Sequence, residues 1–320
     1  MNRVAAIDCG TNSVRLLIAD VPEISGAALT DVERQMKIVR LGQGVDRTGR
    51  LAPDALERTF TAMRGYADLI LKYGGETPGA LPADVMPVRV VATSATRDAA
   101  NRDEFTAGVK EIFGVTPEVV TGAEEAGLSF AGATRELTHG EPGPYLVVDI
   151  GGGSSEFVVG TDEVIAALSV DIGCVRLTER HLKDAGDPPS AHAVEAVVAD
   201  IEAALDRVEA AVPVRDARTL IGLAGSVTTV AGIALDLPAY DPGRIHHSRT
   251  PAGSVHEVSR RLLAMTHDER AAIAVMHPGR VDVIGAGALI LDRIVRRYDF
   301  PEVLASERDI LDGIAYGLTG

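Results

Sequence analysis

The sequence predicts a duplicated α/β protein, two halves of mixed strand and helix with a cleft between them. Three observations carry that expectation. One short pattern occurs twice: residues 4–20 read V-A-A-I-D-C-G-T-N-S-V-R-L-L-I-A-D, and residues 145–160 read Y-L-V-V-D-I-G-G-G-S-S-E-F-V-V-G. Each copy is an apolar strand, an Asp, a small-residue turn and a second apolar strand. Strand and helix signals alternate after each copy, which favours layered α/β architecture. The length of 320 residues suits two domains, each with its own core.

In chain order, strands are expected at 4–8 and 14–20, forming a hairpin around the first turn, and a third at 34–41. A helix follows Pro53 and Asp54, with Leu56, Phe60, Met63, Ala67 and Leu71 spaced for one face. Gly74–Pro87 reads as a loop. The β-branched run Val88–Ala92 is a strand, and S-A-T-R at 94–97 starts a helix reaching about Phe113. The pattern restarts at T-G-A-E-E-A (121–126) with a helix to about 137, a Gly/Pro loop at 140–144, then the second hairpin. An Ala-rich amphipathic helix near 191–211 and a strand at 219–223 follow. The last third reads as helical, with Thr266 and Glu269 spaced as a capping box. The domain boundary is expected near Gly122: residues 1–122 plus about 305–320 form one domain and 123–304 the other. The terminal helix, in S-E-R-D-I-L-D-G-I-A-Y-G-L, is assigned to the first domain because that sheet otherwise has too few helices.

Composition excludes several classes. Net charge is −15, which disfavours generic binding to nucleic acid or an anionic membrane. Aromatics are 4% and Trp is absent, so a base-stacking surface is not expected. Cys9 and Cys174 have neither CxxC nor metal-ligand spacing, and a reduced, cytoplasmic protein is expected. No signal-peptide pattern or transmembrane run is apparent. A polyanionic substrate would have to be held locally, by Arg, backbone N–H groups and a divalent ion, against the overall charge.

The twin turns point to phosphate. Glycine permits close backbone approach, a following Ser adds a hydroxyl donor, and an Asp at a strand end can hold Mg²⁺ directly or through water. Aligned on Asp8 and Asp149, Gly10 matches Gly151, Ser13 matches Ser154, and Arg15 matches Glu156. One loop therefore carries a cation where the other carries an acid. The pair Glu124-Glu125 either complements a helix dipole or supplies a base; side chains of consecutive helical residues diverge by about 100°, so one of the two should face the site. Arg97 combines a guanidinium with a helix start, and Arg15 and Arg176 are further cations near loops. G-L-A-G-S at 222–226 reads equally as a nucleotide or phosphate cradle and as close packing. His267-Asp268 lacks partner ligands for a metal dyad, and His246-His247 has a lesser claim as a phosphate contact. No G-x-x-x-x-G-K-[ST] or G-x-S-x-G occurs.

With these residues in view, the chain resembles the exopolyphosphatase/guanosine pentaphosphatase family of the actin-like, Hsp70-like and sugar-kinase superfamily. The resemblance rests on A-I-D-C-G-T-N-S-V-R-L-L, A-T-S-A-T-R-D-A, T-G-A-E-E-A, V-D-I-G-G-G-S-S-E and S-E-R-D-I-L-D-G-I. It implies two actin-like (ribonuclease H-like) α/β domains in a short form, without the C-terminal helical region of long members. The implied activity is Mg²⁺-dependent hydrolysis of the terminal phosphoanhydride of inorganic polyphosphate, or of the 5′-phosphate of guanosine pentaphosphate, with Mn²⁺ an alternative ion. By motif position Glu125 matches the water-activating glutamate, and Asp149 and Glu156 match the acids at the metal and phosphate site, with Asp8 a third metal candidate. Thr11, Asn12, Ser13, Gly151, Gly152, Gly153 and Ser154 match the phosphate loops, Arg97 the phosphate-contacting arginine, and Arg15 sits with the first loop. The resemblance implies neither a nucleic-acid nor a membrane partner and leaves room for a homodimer. A superfamily kinase and a non-catalytic polyphosphate or nucleotide sensor are the remaining alternatives.

Overall fold

The computed structural model describes residues 2–23, 27–75, 79–137 and 140–318. Positions 76–78 of the expected Gly74–Pro87 loop lie outside the described residues. Contacts divide the chain into two compact units, Met1–Glu136 with Ile310–Gly320, and Leu137–Asp309.

Among the described residues, the first unit holds five strands: β1 (Asn2–Cys9), β2 (Ser13–Val21), β3 (Thr30–Ile38), β4 (Val88–Ala92) and β5 (Glu118–Val119). They lie in the order β3-β2-β1-β4-β5, antiparallel on the β3 side of β1 and parallel on the β4 side. The second unit holds β6 (Tyr145–Ile150), β7 (Ser155–Gly160), β8 (Val164–Val170), β9 (Thr219–Leu223), β10 (Arg249–Pro251) and β11 (Glu302–Ala305). Their order is β10-β11-β9-β6-β7-β8, again with the first hairpin and its third strand antiparallel and the crossover strands parallel. Strands β8-β7-β6-β9-β11 thus repeat β3-β2-β1-β4-β5, and the duplicated motif is the leading edge of a duplicated sheet.

Alternation along β1 places its residues on two faces of the first sheet. Ala5, Ile7 and Cys9 join Met63, Tyr66, Phe105 and Phe113 in one cluster, under the helices Pro53–Gly74 and Arg102–Phe113. Val4 and Ala6 join Ile310, Leu311, Ile314 and Ala315 in another, so the terminal helix Ile310–Tyr316 covers the opposite face. That coverage is why the chain returns to the first unit.

Several boundaries differ from the sequence expectation. The helix Gly122–Thr134 belongs to the first unit, and the division falls after Glu136 rather than near Gly122. The helix is tied there because it crosses the terminal helix closely: a Cβ on Gly313 would lie 2.0 Å from Leu128 O. Strand β3 ends at Ile38 because the Val39 and Arg40 N–H groups turn to Asn12 O instead of continuing the ladder. The expected helix 94–113 is two helices, Ser94–Arg97 and Arg102–Phe113. Between them Asn101 spends its side chain on the Leu51 backbone, accepting from the N–H at 2.8 Å and donating to the O at 3.1 Å. The buried face of Pro53–Gly74 is centred on Thr59, Met63, Tyr66 and Ile70, one position off Phe60 and Leu71. The last third, read as helical, also supplies β10 and β11. The Thr266–Glu269 capping box forms as expected. No helix among the described residues is long and apolar enough to cross a membrane.

One ion pair, buried on its acid side, ties the terminal helix to the edge of the first sheet. Asp312, fully buried, accepts from Arg34 Nη2 at 2.5 Å. Arg34 also pairs with Asp31 at 2.8 Å and is 30% exposed, so without Asp312 its guanidinium keeps a carboxylate and water. Asp312→Ala is expected to lower unfolding free energy in urea by about 1.5–3 kcal/mol, the scale of a charged hydrogen bond; a loss under about 0.5 kcal/mol would show the pair to be dispensable.

Candidate functional site

Both turns are built alike. Gly10 N–H donates to Ser13 O at 3.0 Å, and Gly151 N–H donates to Ser154 O at 3.1 Å. In the first unit, Thr11 O accepts from Gly42 N, and Asn12 O from Val39 N and Arg40 N. In the second, Gly151 O accepts from Cys174 N, Gly152 O from Val175 N and Arg176 N, and Gly153 O from Arg176 Nε at 2.6 Å. A trans peptide sets its N–H antiparallel to its C=O. With the carbonyls held on one side, the N–H groups of Asn12 and Ser13, and of Gly152, Gly153 and Ser154, point to the other. A row of N–H groups of this kind is suited to an anion.

Each turn is backed by a glycine that spacing alone does not reveal. A Cβ on Gly42 would lie 2.3 Å from Thr11 Cγ2, and one on Gly173 would lie 2.2 Å from Gly152 O. Thr11 and Gly152 are equivalent positions of the two turns. Gly173 has φ −116°, so close approach and not backbone conformation demands glycine there. Thr11 Oγ1 is further fixed by Ser94 Oγ at 2.9 Å. The available signal is that the third strand of each sheet runs into a glycine, in L-G-Q-G and D-I-G-C.

The residues flanking the turns differ in charge. Asp8 and Arg15 are cross-strand partners in the β1–β2 ladder, and Arg15 Nε and Nη2 both donate to Asp8 Oδ2, at 2.9 and 2.8 Å. Asp149 and Glu156 hold the same register in β6–β7, and both are buried. One hairpin therefore pairs opposite charges, whereas the other sets two carboxylates side by side, a combination that favours a cation between them. Asp8 is in this way the counter-ion of Arg15, with its Oδ2 taken by two N–H donors.

The acid pair of the first unit separates into two jobs. Thr121 caps the helix Gly122–Thr134, and Glu124 closes a capping box, accepting from Thr121 N at 2.7 Å and Thr121 Oγ1 at 2.8 Å. Those bonds hold the exposed Glu124 carboxyl below its ordinary pKa. Glu125, one helical step on, is buried and accepts from Arg97 Nη1 at 3.0 Å. The same Nη1 also donates to Val120 O at 3.1 Å, so Arg97 is anchored as well as charged. Arg97 sits at the end of a single-turn helix rather than at the start of a long one.

The other motifs meet neighbouring side chains and backbone. Gly225 in G-L-A-G-S lies against the Arg280 guanidinium, 2.3 Å from where a Cβ would stand, and Gly222 against Val227. His246 Nδ1 accepts from Glu307 N at 3.2 Å. His267 lies beside the carboxylates of Asp268 and Asp282, at 3.4 and 3.3 Å. Burial pushes both cysteine thiols up in pKa, so neither is a ready thiolate nucleophile.

No cluster of three or more His, Cys, Asp or Glu is disposed to cage a metal among the described residues. The Asp149–Glu156 pair instead fits Mg²⁺, which takes one or two carboxylates and completes its shell with water and phosphate oxygens.

Residues 17–319 match the model of the Ppx/GppA phosphatase family. The chain belongs to that family. It is 49% identical to exopolyphosphatase 2 of Mycobacterium tuberculosis, over 100% of this chain and 99% of the relative. Among solved structures, an exopolyphosphatase-like protein is 41% identical with a TM-score of 0.89, covering 98% of each chain. The Aquifex aeolicus Ppx/GppA enzyme is 30% identical with a TM-score of 0.79, covering 99% of each. The duplicated sheet is accordingly the actin-like fold of Ppx/GppA phosphatases.

Proposed function

We propose that this chain is an exopolyphosphatase, hydrolysing the terminal phosphoanhydride of inorganic polyphosphate. The observation that carries the reading is the contrast between the hairpins: two N–H-lined turns, one flanked by Asp8–Arg15 and the other by Asp149–Glu156. A phosphate chain with its bound divalent ion needs both kinds of partner. The 49% identity to an exopolyphosphatase over the full length supports the same substrate class.

In this reading water attacks the terminal phosphorus in line, and the bridging P–O bond breaks, releasing orthophosphate and a chain one unit shorter. Glu125 orients the water and takes its proton; Arg97 holds that carboxylate in place and contributes positive charge toward phosphate oxygens. The N–H groups of 12–13 and 152–154, with the Ser13 and Ser154 hydroxyls, bind non-bridging oxygens. Asp149 and Glu156 would hold Mg²⁺, which when bound supplies charge neutralisation for the transferring group. The two free, buried cysteines suit a reducing cytoplasmic setting.

Phosphate release with Mg²⁺ from short polyphosphate, long polyphosphate, guanosine pentaphosphate and ATP, assayed in parallel, tests the reading. Polyphosphate is expected to be turned over fastest, with no acceptor required. Faster release from guanosine pentaphosphate would move the assignment to the other named activity of the family, and acceptor-dependent transfer from ATP would overturn it.

A further inference from the structure

The register of the two sheets exposes a difference one strand beyond the hairpins. In the first unit the row across β1-β2-β3 is Asp8, Arg15 and Met36. The equivalent row across β6-β7-β8 is Asp149, Glu156 and Ser169. Directly opposed residues of neighbouring strands share a face, so Ser169 flanks Glu156 on the side away from Asp149. Its hydroxyl donates to Glu156 Oε1 at 2.7 Å. Arg15 brings its own donors and bonds Asp8, so a thioether suffices at its outer flank. A carboxylate in the same position has only acceptors, and its plane is set by what donates to it.

We propose that Ser169 is a positioning residue for Glu156. By fixing Oε1 it sets the carboxylate plane and hence where Oε2 lies relative to Asp149, which is the geometry a divalent ion or phosphate shell requires. Glu156 has 1% exposure on a central strand, so its rotamer is decided by such partners and not by solvent. The proposal rests on the reading of Glu156 as a metal- and phosphate-side acid.

Loss of an outer-shell partner typically costs 10–100-fold. Ser169→Ala is therefore expected to lower kcat on polyphosphate by about 10–100-fold with KM changed less than about threefold. It is also expected to weaken Mn²⁺ binding to the substrate-free protein, followed by the electron paramagnetic resonance of free Mn²⁺, by about tenfold. Ser169→Thr, which keeps the hydroxyl on a strand, should restore both within about threefold. In a Glu156→Gln background Ser169→Ala should cost nothing further, because the two act as one unit. Wild-type kcat and Mn²⁺ affinity in Ser169→Ala beside an impaired Glu156→Gln would overturn the proposal, as would failure of Thr to rescue a folded protein. A fully active Glu156→Gln would instead overturn the reading of Glu156 itself.

Discussion

Glu125→Gln is expected to lower kcat on polyphosphate by about 10³-fold, with KM within about threefold of wild type, since general-base groups contribute roughly 10²–10⁴. Gln preserves the acceptor that Arg97 Nη1 contacts at 3.0 Å and the volume of a buried side chain, so the change isolates basicity from packing. Glu124→Gln is the matched control. Gln still closes the capping box there, so the change should cost only the acid's charge at the helix N-terminus, about 0.3–1 kcal/mol, and leave turnover within about twofold. Steady-state phosphate release on both variants, with thermal melts for folding, decides the matter. Equal activity loss in the two would place the effect in the helix and not in the base, and retained turnover in Glu125→Gln would remove Glu125 from the reaction.

Much of this arrangement was legible because each feature has a local signature. The twin turns are visible as Asp-x-Gly between apolar runs, and helical spacing shows that one of Glu124 and Glu125 faces the site, while the Thr121–Glu124 capping box that decides which one emerges from the structure. Once Glu124 is committed to the cap, helical geometry leaves Glu125 to the inner face. The return of the terminal helix was legible as a deficit of helices on the first sheet. What escaped depends on long-range register or close approach. Ser169 meets Glu156 through strand pairing, and Gly42 and Gly173 touch the turns from beyond two intervening strands. The strands β10 and β11 are short and lie among helices, so they lack the periodicity that reveals a strand. The boundary near Gly122 missed because the helix Gly122–Thr134 takes its place from the crossing at Gly313, which no local pattern encodes.

Gly173→Ala should be the more damaging of two superficially equal glycine changes. Its Cβ would stand 2.2 Å from Gly152 O and 2.5 Å from Gly153 N, both backbone atoms of the second turn, so the turn itself has to move. Displacing a positioning group by about 1 Å can cost roughly 10²-fold, and overpacking about 1–3 kcal/mol, so kcat/KM for polyphosphate should fall by about 10²-fold with a lowered Tm. At Gly42 the nearest obstacle is a side-chain methyl, Thr11 Cγ2 at 2.3 Å. Trimming that methyl with Thr11→Ser retains the oxygen that meets Ser94 Oγ, so Gly42→Ala/Thr11→Ser should recover most of the activity lost in Gly42→Ala. No equivalent trim exists for Gly173→Ala, because residue 152 is already glycine. If kcat/KM shows Gly173→Ala to be near wild type, or the Thr11 change fails to relieve Gly42→Ala, the turns are not held by these contacts. Rescue confined to the first unit would show that one phosphate loop is positioned through a side chain and the other through its backbone alone.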